Sequence, residues 1–152
     1  MDTRARRRFI SVLAGLAAAP LWRAGTARAQ ADPFEPLVRK LTGGAAVNRG
    51  RVTVDTPRLA DNGHSVPLKV SVASPMTAAD YVATITLLSE RNPRPVMATY
   101  HLGPKAGRAE VATRVRLNGS QRVLAVARLS DGSYWSGSAE VEVTESACLD
   151  AT

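Results

Sequence analysis

The sequence has one cysteine, Cys148, two histidines, and no apolar run long enough to cross a membrane. A single cysteine excludes an internal disulfide, even in a compartment that permits one. His64, in a turn, and His101, near a strand end, lack a further histidine at metal-ligand spacing and read as solvated side chains. No G-x-S-x-G, H-E-x-x-H or C-x-x-C occurs, so the common hydrolase, metalloprotease and dithiol signatures are missing. A copper electron-transfer site needs two His, one Cys and a weak Met ligand, and His64, His101, Cys148, Met76 and Met97 supply those types. Such sites cluster Cys, His and Met within one loop, however, and no His or Met follows Cys148. No metal and no cofactor is expected. Internal repeats and low-complexity tracts are also absent.

What is present begins with a leader. Arg4, Arg6, Arg7 and Arg8 form a basic head, followed by an apolar stretch from Phe9 to Trp22 and an A-x-A site at Ala27-Arg28-Ala29. That order predicts a secretory signal over residues 1–29. Its apolar stretch is short for a membrane span, and Pro20 interrupts it, so no membrane anchor is expected after cleavage. Arg6-Arg7-Arg8-Phe9-Ile10 fits the twin-arginine pattern, a route that exports chains already folded. A Sec leader with surplus arginines is the alternative. The leader also accounts for most of the formal charge of +7. Six of the twenty Lys and Arg lie within it, against one of the thirteen Asp and Glu, which leaves the mature chain at +2. A nucleic-acid partner is therefore not indicated.

The mature part, from about Gln30, has the length of one domain. Asp32-Pro33-Phe34-Glu35 predicts a helix start, with Asp32 as N-cap, Pro33 in the first turn and Glu35 as reciprocal partner. Phe34, Leu37, Val38 and Leu41 share one face, and Gly43-Gly44 stops the helix. Seven strands are expected, over 51–56, 66–73, 81–90, 96–102, 109–117, 122–130 and 134–144, with turns at Asp61-Asn62-Gly63, Pro104 to Gly107, Asn118-Gly119 and Asp131-Gly132 and a stiff connection from Arg91 to Pro95. The spacing predicts an all-β, immunoglobulin-like antiparallel β-sandwich with a short N-terminal helix and a flexible C-terminal tail.

Two strands break the simple alternation. In 122–130, Leu124 and Val126 oppose the core face of Val123, Ala125, Ala127 and Leu129. In 81–90, Val82 and Leu88 oppose Tyr81, Ile85 and Leu87. A sheet that is apolar on both faces is covered on both, here by the N-terminal helix or by a partner subunit. Of the polar residues, Thr77-x-x-Asp80 reads as a capping box. Arg114 and Arg116 share a strand face, either solvated or attracting an anion. Cys148 follows the last strand on the tail Glu145 to Thr152, an exposed position from which a thiol reaches another protein, forms an intermolecular disulfide, or stays idle.

The order of several short runs adds a resemblance. These are Gly50-Arg51-Val52-Thr53, Ala60-Asp61-Asn62-Gly63 with Val66-Pro67, Ser74-Pro75-Met76-Thr77, Asn92-Pro93-Arg94-Pro95, Thr113 to Leu117, and Ser130-Asp131-Gly132-Ser133-Tyr134-Trp135. Together, over about residues 49–148, they resemble SoxY, the sulfur-carrier subunit of the periplasmic thiosulfate-oxidising (Sox) system. The resemblance implies a periplasmic carrier, not an enzyme in its own right. Thiosulfate-derived sulfur would be attached to Cys148 and acted on by other Sox enzymes, in a heterodimer with a SoxZ-like β-sandwich. It divides the chain into a signal peptide (1–29), a sandwich domain (30–144) and a carrier arm (145–152).

Family members end Gly-Gly-Cys-Gly-Gly, whereas the aligned residues here are Ser146-Ala147-Cys148-Leu149-Asp150. Glycine makes a slim arm that bends freely, and Leu149 adds bulk. Asp150 and Glu145 disfavour a thiolate and repel anionic thiosulfate. Three readings stay open: a carrier with an altered arm, a paralogue serving a different enzyme, or a non-catalytic interaction scaffold with an idle Cys148.

Overall fold

Apolar side chains at every second position, cut by Gly, Pro and Asn turns, make this chain a set of strands. The computed structural model describes residues 31–146. Its helix is α1 (Glu35–Thr42), and its strands are β1 (Val47–Arg49), β2 (Val52–Asp55), β3 (Leu59–Asn62), β4 (Val66–Val72), β5 (Val82–Ser89), β6 (Val96–His101), β7 (Glu110–Val115), β8 (Gln121–Leu129) and β9 (Tyr134–Glu145). One sheet has the order β1-β9-β8-β5-β6, with β3 also on β9, and the other has the order β2-β4-β7. Each of the seven expected strands has a counterpart.

The short strands β1 and β3 are additional. Both run parallel to β9, which is long enough to pair with β1 at its start (Val47 opposite Tyr134) and β3 at its end (Asn62 opposite Glu145). Asp61 and Asn62, expected in a turn, thus belong to a strand. The turn follows one step later, where the Asn62 Oδ1 accepts the His64 N–H at 3.2 Å. Tertiary pairing with β9 overrides the local turn preference there.

Between the sheets lies a core of aliphatic side chains. Val66, Leu68, Val70 and Val72 of β4 meet Ile85 and Leu87 of β5 and Val123, Ala125, Ala127 and Leu129 of β8, all buried. Val82 joins them, contrary to the alternation, which put it on the outer face. A β-bulge between Val82 and Thr84, opposite Leu129 and Arg128, inserts a residue and turns Val82 inward. Met76 adds its side chain to the same core from a loop, with φ 52°. Its sulfur accepts the Val82 N–H at 3.4 Å. The Thr77–Asp80 pair caps no helix. It closes this loop instead, through Asp80 N–H to Thr77 Oγ1 (3.1 Å) and Thr77 N–H to the Asp80 carbonyl (2.9 Å).

Helix α1 covers the other face of β5 and β8. Phe34, 1% exposed, packs on Leu88 and Val126, with Leu37, Val38, Leu124 and Tyr134 around them. Of the two coverings open from sequence, the helix holds this site. It starts later than expected. Asp32 Oδ1 accepts the Phe34 N–H at 3.1 Å in a turn, and the helix begins at Glu35, whose carboxylate pairs with Arg39. Gly43, at φ 64°, ends the helix. Leu41, expected on the apolar face, stays 37% exposed.

Arg122 ties α1 to β8 by lying 4.9 Å over the Phe34 ring and pairing with Asp32. A solvent-accessible ion pair contributes about 0–1 kcal/mol. Burying a phenylalanine contributes about 1.5–3 kcal/mol, so Phe34 is the anchor.

Along one side the sandwich is closed by backbone contact. A Cβ on Gly137 of β9 would lie 2.2 Å from the Val52 carbonyl oxygen of β2, so only glycine admits that strand. Two substitutions test this framework by urea unfolding. Phe34→Ala should cost about 3 kcal/mol and raise binding of an apolar dye at Leu88 and Val126. Gly137→Ala should cost about 1–3 kcal/mol by forcing β2 away from β9. Wild-type stability in either variant would contradict the packing described.

Candidate functional site at the end of strand β9

The last strand leads to the segment that holds Cys148, and its final residues are fixed by a cluster of loops. Gly63 N–H donates to the Glu145 carbonyl at 2.7 Å, and Leu117 N–H donates to the Gly63 carbonyl at 2.8 Å. Ser120 bridges to β9, accepting the Val143 N–H at 2.8 Å and donating its hydroxyl to the Val143 carbonyl at 3.3 Å. Ser146, just beyond β9, donates its hydroxyl to Asn118 Oδ1 at 2.6 Å.

Asn92 joins the loops beneath. Its Oδ1 accepts the Asn118 N–H (2.9 Å) and the Gln121 side-chain amide (3.1 Å), while its Nδ2 donates to the Arg116 carbonyl (2.8 Å). Buried Gln121 accepts the Arg91 N–H at 3.0 Å. Three of the sequence runs singled out above, at 60–63, 92–95 and 113–117, therefore converge where β9 ends. Sequence reading put Asn92 in a stiff connection and Asn118 in a turn. Their role as side-chain connectors was missed, and its only local signal was asparagine at both places.

The remaining candidates lie apart from this cluster or play other parts. His64 and His101 are exposed, in the turn after β3 and at the end of β6. Met76 is buried in the core and Met97 is half-buried against it. Arg114 is exposed on β7, its guanidinium donating to Ser65 Oγ (2.6 Å) and to the Ser65 carbonyl (3.1 Å). Arg114 and Arg116 line a cleft together with Arg94, which sequence reading did not connect with them.

Asp131, in the turn before β9, has its carboxyl held below the ordinary aspartate value. The Ser133 hydroxyl is the main cause, followed by the Ser133 N–H and, more weakly, Arg51. That perturbation belongs to the turn chemistry of Ser130 to Trp135, at the opposite end of β9 from Ser146. Cys148 itself, with the rest of 147–152, and the leader read over 1–29 lie outside the described residues. Among the described residues no helix is long and apolar enough to cross a membrane.

Two facing sheets with a buried aliphatic core between them define the class, an immunoglobulin-like β-sandwich domain. Residues 38–148 match the family described as sulfur oxidation protein SoxY, a match that ends on Cys148. The chain belongs to the SoxY family. Among solved structures, the sulfur carrier protein SoxY from Chlorobium limicola f thiosulfatophilum superposes with a TM-score of 0.62 at 20% identity, covering 73% of this chain and 91% of that one. A superoxide reductase (neelaredoxin) from Ignicoccus hospitalis gives 0.55 at 19% identity, covering 62% and 80%. A superoxide reductase from Nanoarchaeum equitans gives 0.53 at 11% identity, covering 63% and 100%. At these identities the likeness is one of fold. A comparison with curated proteins found no match.

The cluster makes its own prediction. Asn92→Ala removes three hydrogen bonds and leaves Gln121 short of a partner, which should cost about 2 kcal/mol. Amide exchange should accelerate at Asn118 while β4 stays protected. Unchanged exchange at Asn118 would show that Asn92 does not hold the loops together.

Proposed function

We propose that this protein is a periplasmic sulfur carrier that holds thiosulfate-derived sulfur covalently on Cys148 for other Sox enzymes. In this reading residues 1–29 are a twin-arginine leader, 30–144 the sandwich and 145–152 the carrier arm. A SoxZ-like sandwich subunit completes a heterodimer, and folded export lets that partner cross with it. The observation that carries the reading is the family match ending on Cys148, two residues beyond Ser146, which the loop cluster holds.

Joining thiosulfate to a thiol makes a sulfur–sulfur bond and releases the thiol proton and two electrons. An enzyme with an electron acceptor has to take those electrons, so the carrier supplies the attachment atom and its presentation. With Ser146 held on Asn118, the two residues to Cys148 reach at most about 7 Å. A client enzyme must therefore approach the end of the sandwich closely, or the Ser146–Asn118 bond must open. Ser146, Leu149 and Asp150, where the family has glycine, favour a second reading: a scaffold that pairs with the partner and leaves Cys148 idle.

Cys148→Ala separates the two. In thiosulfate-dependent electron transfer reconstituted with the partner subunit and the other Sox enzymes, a carrier loses all turnover while pairing is unchanged. Turnover retained by Cys148→Ala would establish the scaffold. Turnover by this chain without any partner would overturn both.

A further inference from the structure

The two long sides of the sandwich differ. On one, β1 and β3 pair with β9, and Gly137 lets the β2 backbone close against it. On the other, among the described residues, β6 pairs only with β5 and β7 only with β4. Leu102 N–H donates to the Ala83 carbonyl, and this register turns the backbone groups of Thr99 and His101 away from β5. Val72 N–H donates to the Ala109 carbonyl, which likewise turns those of Ala112 and Arg114 away from β4. Two sheet edges thus present unused donors and acceptors on the same side, where proteins ordinarily block pairing.

Between these edges lies a solvent-open cleft of about 370 Å³. Its apolar part is Val96, Met97 and Tyr100 of β6, with Val96 49% exposed. Its charged part is Arg94, Arg114 and Arg116, with no carboxylate in the lining. The ion pairs found among the described residues engage Arg39, Lys69 and Arg122, and none of these three arginines. A second copy of this chain would bring the same arginines and be repelled. An extended segment with alternating apolar and acidic side chains satisfies the backbone edge, the apolar strip and the charge together. The outer face of β5 and β8 is already filled by Phe34 and is not free for a partner.

We propose that the cleft between β6 and β7 is where the second sandwich subunit docks. An acidic, extended segment of the partner lies along the free edge of β6, its carboxylates on Arg94, Arg114 and Arg116. The proposal rests on the heterodimer reading given above and adds the surface and the chemistry of the contact.

The test uses the mature chain and the SoxZ-like subunit from the same host. Arg94→Glu with Arg116→Glu alters two side chains for which no hydrogen bond or ion pair is found, so the thermal midpoint should hold. Affinity for the partner should fall at least about tenfold, and the wild-type weakening with added salt should disappear. Hydrogen exchange of the wild-type complex should gain protection over residues 96–101, a readout that does not depend on the variant folding. Undiminished affinity in the variant, with protection gained at α1, β1 or β3 instead, overturns the proposal. So does a dimer of this chain alone formed through β6, or protection of β6 in the isolated chain that is lost on truncation after Ser146. A folded chain that binds the partner not at all defeats the heterodimer reading itself, and this inference with it.

Discussion

Leu88 and Val126 point away from the space between the sheets, on strands whose inner faces carry Ile85, Leu87, Ala125 and Ala127. Strands β5 and β8 therefore have to be dry on both sides, and the rest of the domain is arranged around that requirement. The three-stranded sheet β2-β4-β7 covers the inner face, and Phe34 with α1 covers the outer one. Each cover is modest: three strands in one case, two turns of helix in the other. Arg122 reinforces the second by touching both the Phe34 ring and the Asp32 carboxylate, but the apolar contact dominates the energy.

This arrangement makes the two long sides of the sandwich unlike. With the outer face occupied and the β2–β9 side shut at Gly137, the open side is the one between β6 and β7. The end of the sandwich where β9 finishes is a polar cluster in which Asn92, Asn118, Gln121 and Ser146 hold four chain segments together. Asn92 belongs to both regions, since it lines the cleft and bonds to Asn118. The cleft and the polar cluster therefore share this asparagine.

Much of this was legible in the residues. Period-two alternation in 66–73 is a strong signal, and the doubly apolar character of β5 and β8 calls for a second cover, which the helix supplies. What escaped has physical reasons. β1 and β3 are three or four residues long and exist because β9 offers a parallel edge, which is a tertiary fact. Val82 enters the core through a bulge, and a one-residue insertion is invisible to a periodicity that assumes none. Asp32 was expected as the N-cap, but it accepts the Phe34 N–H in a turn and Phe34 takes the N-cap position, so the helix begins later. The loop cluster depends on Asn92 and Asn118, 26 residues apart in sequence, meeting in space. The runs behind the family resemblance include Asn92 but stop at Leu117, and the hydrogen bond to Asn118 shows what Asn92 does.

The central proposal is that Cys148 carries sulfur although no glycine flanks it. The most direct measurement is the intact mass of the mature protein, isolated without reductant from its host grown on thiosulfate. The account predicts a sulfur-containing adduct that maps to Cys148 and disappears on reduction. A bare thiol at Cys148, in cells whose other carrier proteins are loaded, would contradict it.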